Sequence, residues 1–126
     1  MSEIKPITKE MRDQLRSPLP SQAFSINSAK SFLTAIKPIY IIERLNDVFG
    51  VGSWTTETNV EYADAETGMV VVRVKLLIPE YGVSIEGFGG NDNGGKGKKG
   101  FDYGDAYKGA HTDALTKSAS YLEIAI

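Results

Sequence analysis

Lys96, Lys98 and Lys99 stand in the stretch GGNDNGGKGKKG, residues 89–100, where six of twelve positions are glycine and none is apolar. Ammonium groups on so free a backbone suit phosphate. Two kinds of phosphate chemistry fit. One is a nucleotide cradle, because Gly90, four residues, then Gly95 and Lys96 reproduce the first seven positions of G-x-x-x-x-G-K-[ST]. The eighth position must supply a hydroxyl for magnesium, and a helix must start at once so that its amides face the phosphates. Gly97 stands there instead, and Lys98, Lys99 and Gly100 postpone any helix. The other chemistry is a nucleic-acid backbone, on which lysines settle without reading bases. A plain surface loop has the same composition, so the stretch alone leaves the choice open.

Other chemistries find no residues to carry them. The chain has no cysteine, which excludes disulfides, thiolate metal sites and thiol nucleophiles. His111 is the only histidine, so no histidine cluster is available for a metal, and Asp105 and Asp113 read as capping or surface charges. There is no G-x-S-x-G elbow and no H-E-x-x-H, and nothing in the sequence marks two of its carboxylates as a facing pair. The expected protein is therefore a binding module without catalytic residues, metal or cofactor. Its formal net charge is -2, yet the charge is segregated. Residues 43–66 carry Glu43, Asp47, Glu57, Glu61, Asp64 and Glu66 against Arg44, whereas residues 94–117 carry five lysines against three aspartates. A basic face on an acidic protein follows from such a distribution.

Length and composition bound the scaffold. A chain of 126 residues, 41% hydrophobic with five Phe, six Tyr and one Trp, fits one globular domain with one core. No apolar run approaches a membrane span, and MSEIKPITKE lacks the apolar centre of a signal peptide, so a soluble intracellular protein is expected. Residues 1–22, with Pro6, Pro18 and Pro20, read as a partly flexible arm with one short helix near Glu10–Leu15; residues 23–126 read as the domain.

SFLTAI, residues 31–36, suggests a short strand, and a helix from Pro38 carries Ile41, Ile42, Leu45, Val48 and Phe49 at helical spacing before Gly50. WTTETNVEY, residues 54–62, alternates Trp54, Thr56, Thr58, Val60 and Tyr62 with an acidic outer face, the pattern of a half-buried antiparallel strand. MVVVRVKLLI, residues 69–78, returns with five aliphatics inward and Arg73 and Lys75 outward. Those two cations read first as partners of Glu57 and Glu61 across the hairpin, at about 0.2 to 1 kcal/mol each, and only second as DNA contacts. VSIEGF, residues 83–88, is a third strand running into the glycine-lysine stretch.

Asp102 or Asp105 can cap a final helix whose face is traced by Tyr107, Ala110, Ala114, Leu115, Ser118, Tyr121 and Leu122, with the helix continuing through YLEIAI. Its small residues allow close approach to a sheet or to another subunit. Lys108 and Lys117 are nine positions apart, about 900° around a helix, and so face opposite sides. The fold class is thus α+β, an antiparallel β-β-β-α core behind a preceding helix.

That order, with IIERLNDVFGVGSW at 41–54, EGFGG at 86–90 and GDAYKGAHTDALTKSASYL at 104–122, resembles the Rad fifty-two/Rad twenty-two family of single-strand annealing proteins, including bacterial and phage members. The likeness covers roughly residues 12–126. Its most specific pieces are the N-D-x-F-G-x-x-x-W block (Asn46, Asp47, Phe49, Gly50, Trp54) and the T-D-A-L-x-K-S block (Thr112 to Leu115, Lys117, Ser118).

The resemblance implies subunits assembled into rings or helical filaments, with single-stranded DNA in a cationic groove and complementary strands annealed without ATP, in recombination and double-strand break repair. It places Lys117 at a basic position of the last helix, and Lys96, Lys98 and Lys99 in the region of an outer basic strip. Lysines on so free a backbone would then form a mobile basic flap by which strands are captured or the second strand is presented. Thr116 and Ser120 stand where eukaryotic members are basic, and Val51 where they are aromatic. Lys37, Tyr40 and Lys108 are the candidates to compensate. The resemblance further implies a cytoplasmic, nucleoid-associated protein of a bacterial or phage-infected cell, with a recombinase or single-strand-binding protein as possible partner. Family members usually continue past this point, where a partner-binding tail would lie. Two readings from other classes compete: a nucleotide-binding enzyme, which would have to bind ATP despite Gly97, and an oligomeric adaptor that takes a protein partner on its acidic strand face.

Overall fold

In a computed structural model of the chain, residues 3–26, 34–92 and 103–125 are described. Helix α1 (Lys9–Arg16) leads to a short hairpin of β1 (Phe24–Ile26) and β2 (Thr34–Ile36), then α2 (Pro38–Phe49). A three-stranded antiparallel sheet follows in the order β3 (Thr55–Asp64), β4 (Met69–Ile78), β5 (Val83–Asp92), and α3 (Tyr103–Ser120) closes the fold. No helix among the described residues is long and apolar enough to cross a membrane. The expected α+β architecture is present, with the β-β-β-α unit behind α2.

The core forms where strong periodicities meet. Strand β4 buries Val70, Val72, Val74, Leu76 and Ile78, every second residue, because it is the central strand and α3 lies across that face. Helix α2 adds Ile41, Leu45 and Phe49, one per turn. It stops at Gly50, whose φ of 99° a side chain would resist. Helix α3 contributes mainly alanines: Ala106, Ala110, Ala114 and Ala119 are fully buried. The reason lies in β5. A Cβ added at Gly89 would stand 2.3 Å from both the Ala110 carbonyl oxygen and the Ala114 nitrogen, and one at Gly87 2.6 Å from the Ala114 carbonyl oxygen. Strand and helix backbones are therefore in direct contact, and small residues on both sides make that possible.

Several local expectations are corrected. The strand expected over 31–36 is only its last half among the described residues, and it pairs with β1, a strand too short to carry a sequence period. Strand β5 runs to Asp92, so the first four residues of the glycine-lysine stretch extend the sheet, while residues 93–100 lie outside the described residues. An irregularity between Val60 and Tyr62 shifts the register, so Tyr62 sits opposite Val71 and shares the outer face with Arg73 and Lys75. Strand β3 is not half-buried: Val60 is 52% and Tyr62 51% exposed, because α3 crosses β4 and β5 and leaves β3 uncovered. Finally, α3 ends at Ser120 and does not continue. Tyr121 is 71% exposed, and Glu123 has φ 69° in the turn that follows.

That turn is tied to α1. Leu15 of α1 enters the core, and the Arg44 guanidinium donates to the carbonyls of Gln14, Leu15 and Ser17 at 2.7–2.8 Å, closing the end of the helix. Arg12 forks onto the Glu123 carboxylate at 2.7 and 2.9 Å, and Arg16 adds a third contact at 2.7 Å. The hydrogen bonds and charge of Arg12, then the hydrogen bond and charge of Arg16, hold the Glu123 carboxyl down at about 2 from its ordinary 4.5. A depressed carboxyl stabilises the fold above its ordinary range, and that contribution disappears as pH falls through the folded value. Wild type is therefore expected to melt above Glu123→Gln at neutral pH, with the gap narrowing from pH 4.5 downward and closing near pH 2. A gap that stays constant over that window in thermal melts would refute the assignment.

Candidate nucleic-acid interface

The two motif blocks prove to be largely architectural. The Trp54 indole N–H donates to Asn46 Oδ1 at 2.7 Å, so the Asn-to-Trp spacing fixes the turn between α2 and β3. In the second block, Asp113 Oδ2 accepts the Gly90 amide at 3.2 Å on the edge strand β5 and also meets Lys117 Nζ at 3.3 Å. Ala114 and Leu115 are buried, and Ser118 Oγ lies 2.9 Å from both the Val74 and Ala114 carbonyl oxygens. A hydroxyl buried between helix and sheet is thus satisfied. Lys117 is the most exposed residue of that block.

The expected site residues fall into three groups. Lys96, Lys98 and Lys99 lie outside the described residues. Arg73 and Lys75 lie on the outer face of the sheet, away from α3, and meet carboxylates: Arg73 reaches Glu61 at 3.0 Å and Glu86 at 3.5 Å, and Lys75 reaches Glu86 at 3.8 Å. The expected partner Glu61 is there for Arg73, while Lys75 turns to Glu86 on β5 in place of Glu57, its register neighbour on β3. Lys37, Tyr40, Lys108 and Lys117 belong to the helices. Lys37 is exposed at the entry to α2, and Tyr40 is half-buried in its first turn.

Pairing separates these cations further. Among the described residues, Lys5, Lys9, Arg12, Arg16, Arg73, Lys75 and Lys117 each meet a carboxylate, and Arg44 is taken up by carbonyls. Lys37 and Lys108 have no such partner among the described residues. Among the described residues Lys117 meets only Asp113, and the two side chains are 60% and 41% exposed. An exposed pair of this kind is worth about 0 to 1 kcal/mol, so a phosphate can replace Asp113 at little cost. Arg73 is held by two carboxylates and is only 34% exposed, which makes it far less available.

Lys108 and Lys117 lie on opposite sides of α3. Lys117 borders a surface hollow with Glu86, Gly87, Phe88 and Tyr121 on the β5 side, whereas Lys108 borders another with Thr58 and Val60 on the β3 side. This second hollow, a groove of about 350 Å³, was not legible in the sequence. Its walls come from α3 and β3, elements distant in the chain, and it exists because α3 lies off-centre on the sheet. The nearest signal was the run Tyr107, Lys108, His111, Thr112, one side of a helix.

A comparison of the chain with curated proteins gives no match. A family model described as Rad52/22 family double-strand break repair protein matches residues 5–126, from the segment before α1 to the turn beyond α3. The β-β-β-α unit, the Asn46–Trp54 turn and the Asp113–Lys117–Ser118 block all lie inside that match, and the chain belongs to the Rad52/22 family of double-strand break repair proteins.

Proposed function

We propose that this protein binds single-stranded DNA through its phosphates and anneals complementary strands without ATP, as a homo-oligomeric ring or filament. The observation that carries the reading is the family match across residues 5–126. Electrostatics supports it: Lys37 and Lys108 lack carboxylate partners among the described residues, and Lys117 has only an exposed, weak one. Lysines that follow the backbone leave base edges free, as annealing requires. Repetition around an oligomer turns a few such contacts per subunit into firm binding, which lets a chain of net charge -2 hold DNA. Lys96, Lys98 and Lys99 are further phosphate contacts in this reading, and a recombinase or single-strand-binding protein is the partner class.

The test mixes purified protein with two complementary labelled oligonucleotides at low salt without ATP and follows duplex formation. Faster pairing than in the protein-free control is the expected result. A second reading rests on β3, whose exposed face carries Glu57 and Glu61 and suits an adaptor that takes a basic protein partner. Failure to bind either strand would favour it.

A further inference from the structure

The groove between β3 and α3 has properties that phosphate contacts alone do not use. Val60 and Val72 give it an apolar floor, Tyr107 and His111 stand along its helical wall, and Lys108 is at its rim. Its lining contains no carboxylate, although the opposite face of β3 is acidic. It is shallow and open on one side, and at about 350 Å³ it has room for a nucleobase. An apolar floor, ring side chains and a single unpaired cation are complementary to a flat aromatic group attached to an anion.

We infer that this groove is a base-accepting contact for single-stranded DNA, in which one base lies face-on against Val60 and His111 while its phosphate meets Lys108. The inference rests on the DNA-binding reading above and adds a stacking contact to it. The strand passes the β3 side of α3 here, across the helix from Lys117. Because the groove is open, a base held by its face keeps its pairing edge toward solvent. Charge decides against a second copy of the chain as occupant: the exposed strand β3 of a neighbour would bring carboxylates, and the groove offers Lys108 alone to meet them.

The test measures binding of the 126-residue chain to a labelled oligothymidylate and to an abasic deoxyribose-phosphate strand of equal length. Wild type should bind the oligothymidylate about tenfold more tightly, the scale of one stacked base. Val60→Ser and His111→Ala should each reduce that preference and leave abasic binding unchanged, while His111→Phe, which keeps a ring, should retain it. Lys108→Ala should weaken both strands equally. Val60 is half-exposed, so its replacement leaves the core intact.

Equal affinity of wild type for the two strands, or groove variants that weaken both alike, would overturn the stacking contact while leaving DNA binding in place. Groove variants with unchanged DNA binding but a smaller mass in sedimentation would overturn it in favour of a subunit contact. Absence of binding to either strand by wild type would remove the parent reading, and the inference with it.

Discussion

Gly89→Ala is expected to destabilise the fold by about 3 kcal/mol or more, at the upper end of what overpacking costs, whereas Gly90→Ala, one residue on, should change stability by less than about 1 kcal/mol. The contrast follows from what each new methyl would meet. At Gly89 the nearest atoms are backbone, the Ala110 carbonyl oxygen and the Ala114 nitrogen at 2.3 Å, and no rotamer change can move them aside. Relief requires α3 to lift from β5, which would open the layer that covers Val70 to Ile78 and loosen Ser118 from the Val74 carbonyl. At Gly90 the nearest neighbour is the Val70 carbonyl oxygen at 3.7 Å, an ordinary contact. Urea denaturation of both variants decides the matter. Equal stability would mean that the close helix–strand approach is not a feature of the folded protein.

The same pair of glycines shows why part of this protein was legible in its sequence and part was not. Strand β4 and helix α2 are each covered on one side by the rest of the core, so burial imposes a period of two on one and of about 3.6 on the other, and both boundaries were readable. GGNDNGGKGKKG carried no such period. Composition made all six glycines look alike, yet Gly89 is fixed by the backbone of α3 while Gly90 donates its amide to Asp113. Strand β3 misled in the opposite direction. Its alternation is real, but burial depends on where α3 lies, and α3 covers β4 and β5. The shift at Val60 and Tyr62 has no signal in residue type and reverses the face of Tyr62. The blocks that carried the family resemblance mark how α2 enters the sheet and how α3 sits on it; Lys117 apart, they say little about which residues meet a ligand. Availability of a cation is decided by neighbouring carboxylates, and those come from other strands, as Glu61 and Glu86 do for Arg73.

Replacing Lys37, Lys108 and Lys117 together by alanine is expected to weaken single-stranded DNA binding by about a hundredfold near 0.1 M salt, while the double replacement of Arg73 and Lys75 should leave it close to wild type. Each phosphate neutralised on a single strand contributes about 0.7 to the slope of log affinity against log salt, so losing three contacts makes that slope shallower by about 2 per subunit. Extrapolated to 1 M salt, where this contribution vanishes, the triple variant and wild type should converge. The outer-face pair serves as an internal control for charge. Arg73 and Lys75 are already neutralised by Glu61 and Glu86, so removing them leaves those carboxylates uncompensated and does not release a DNA contact. Their loss should appear mainly as a small change in thermal stability. Fluorescence anisotropy at four or five salt concentrations separates the outcomes. A triple variant with the wild-type slope would mean that the helix lysines do not touch the strand, and a steep loss in the Arg73 and Lys75 variant would move the binding surface to the outer face of the sheet.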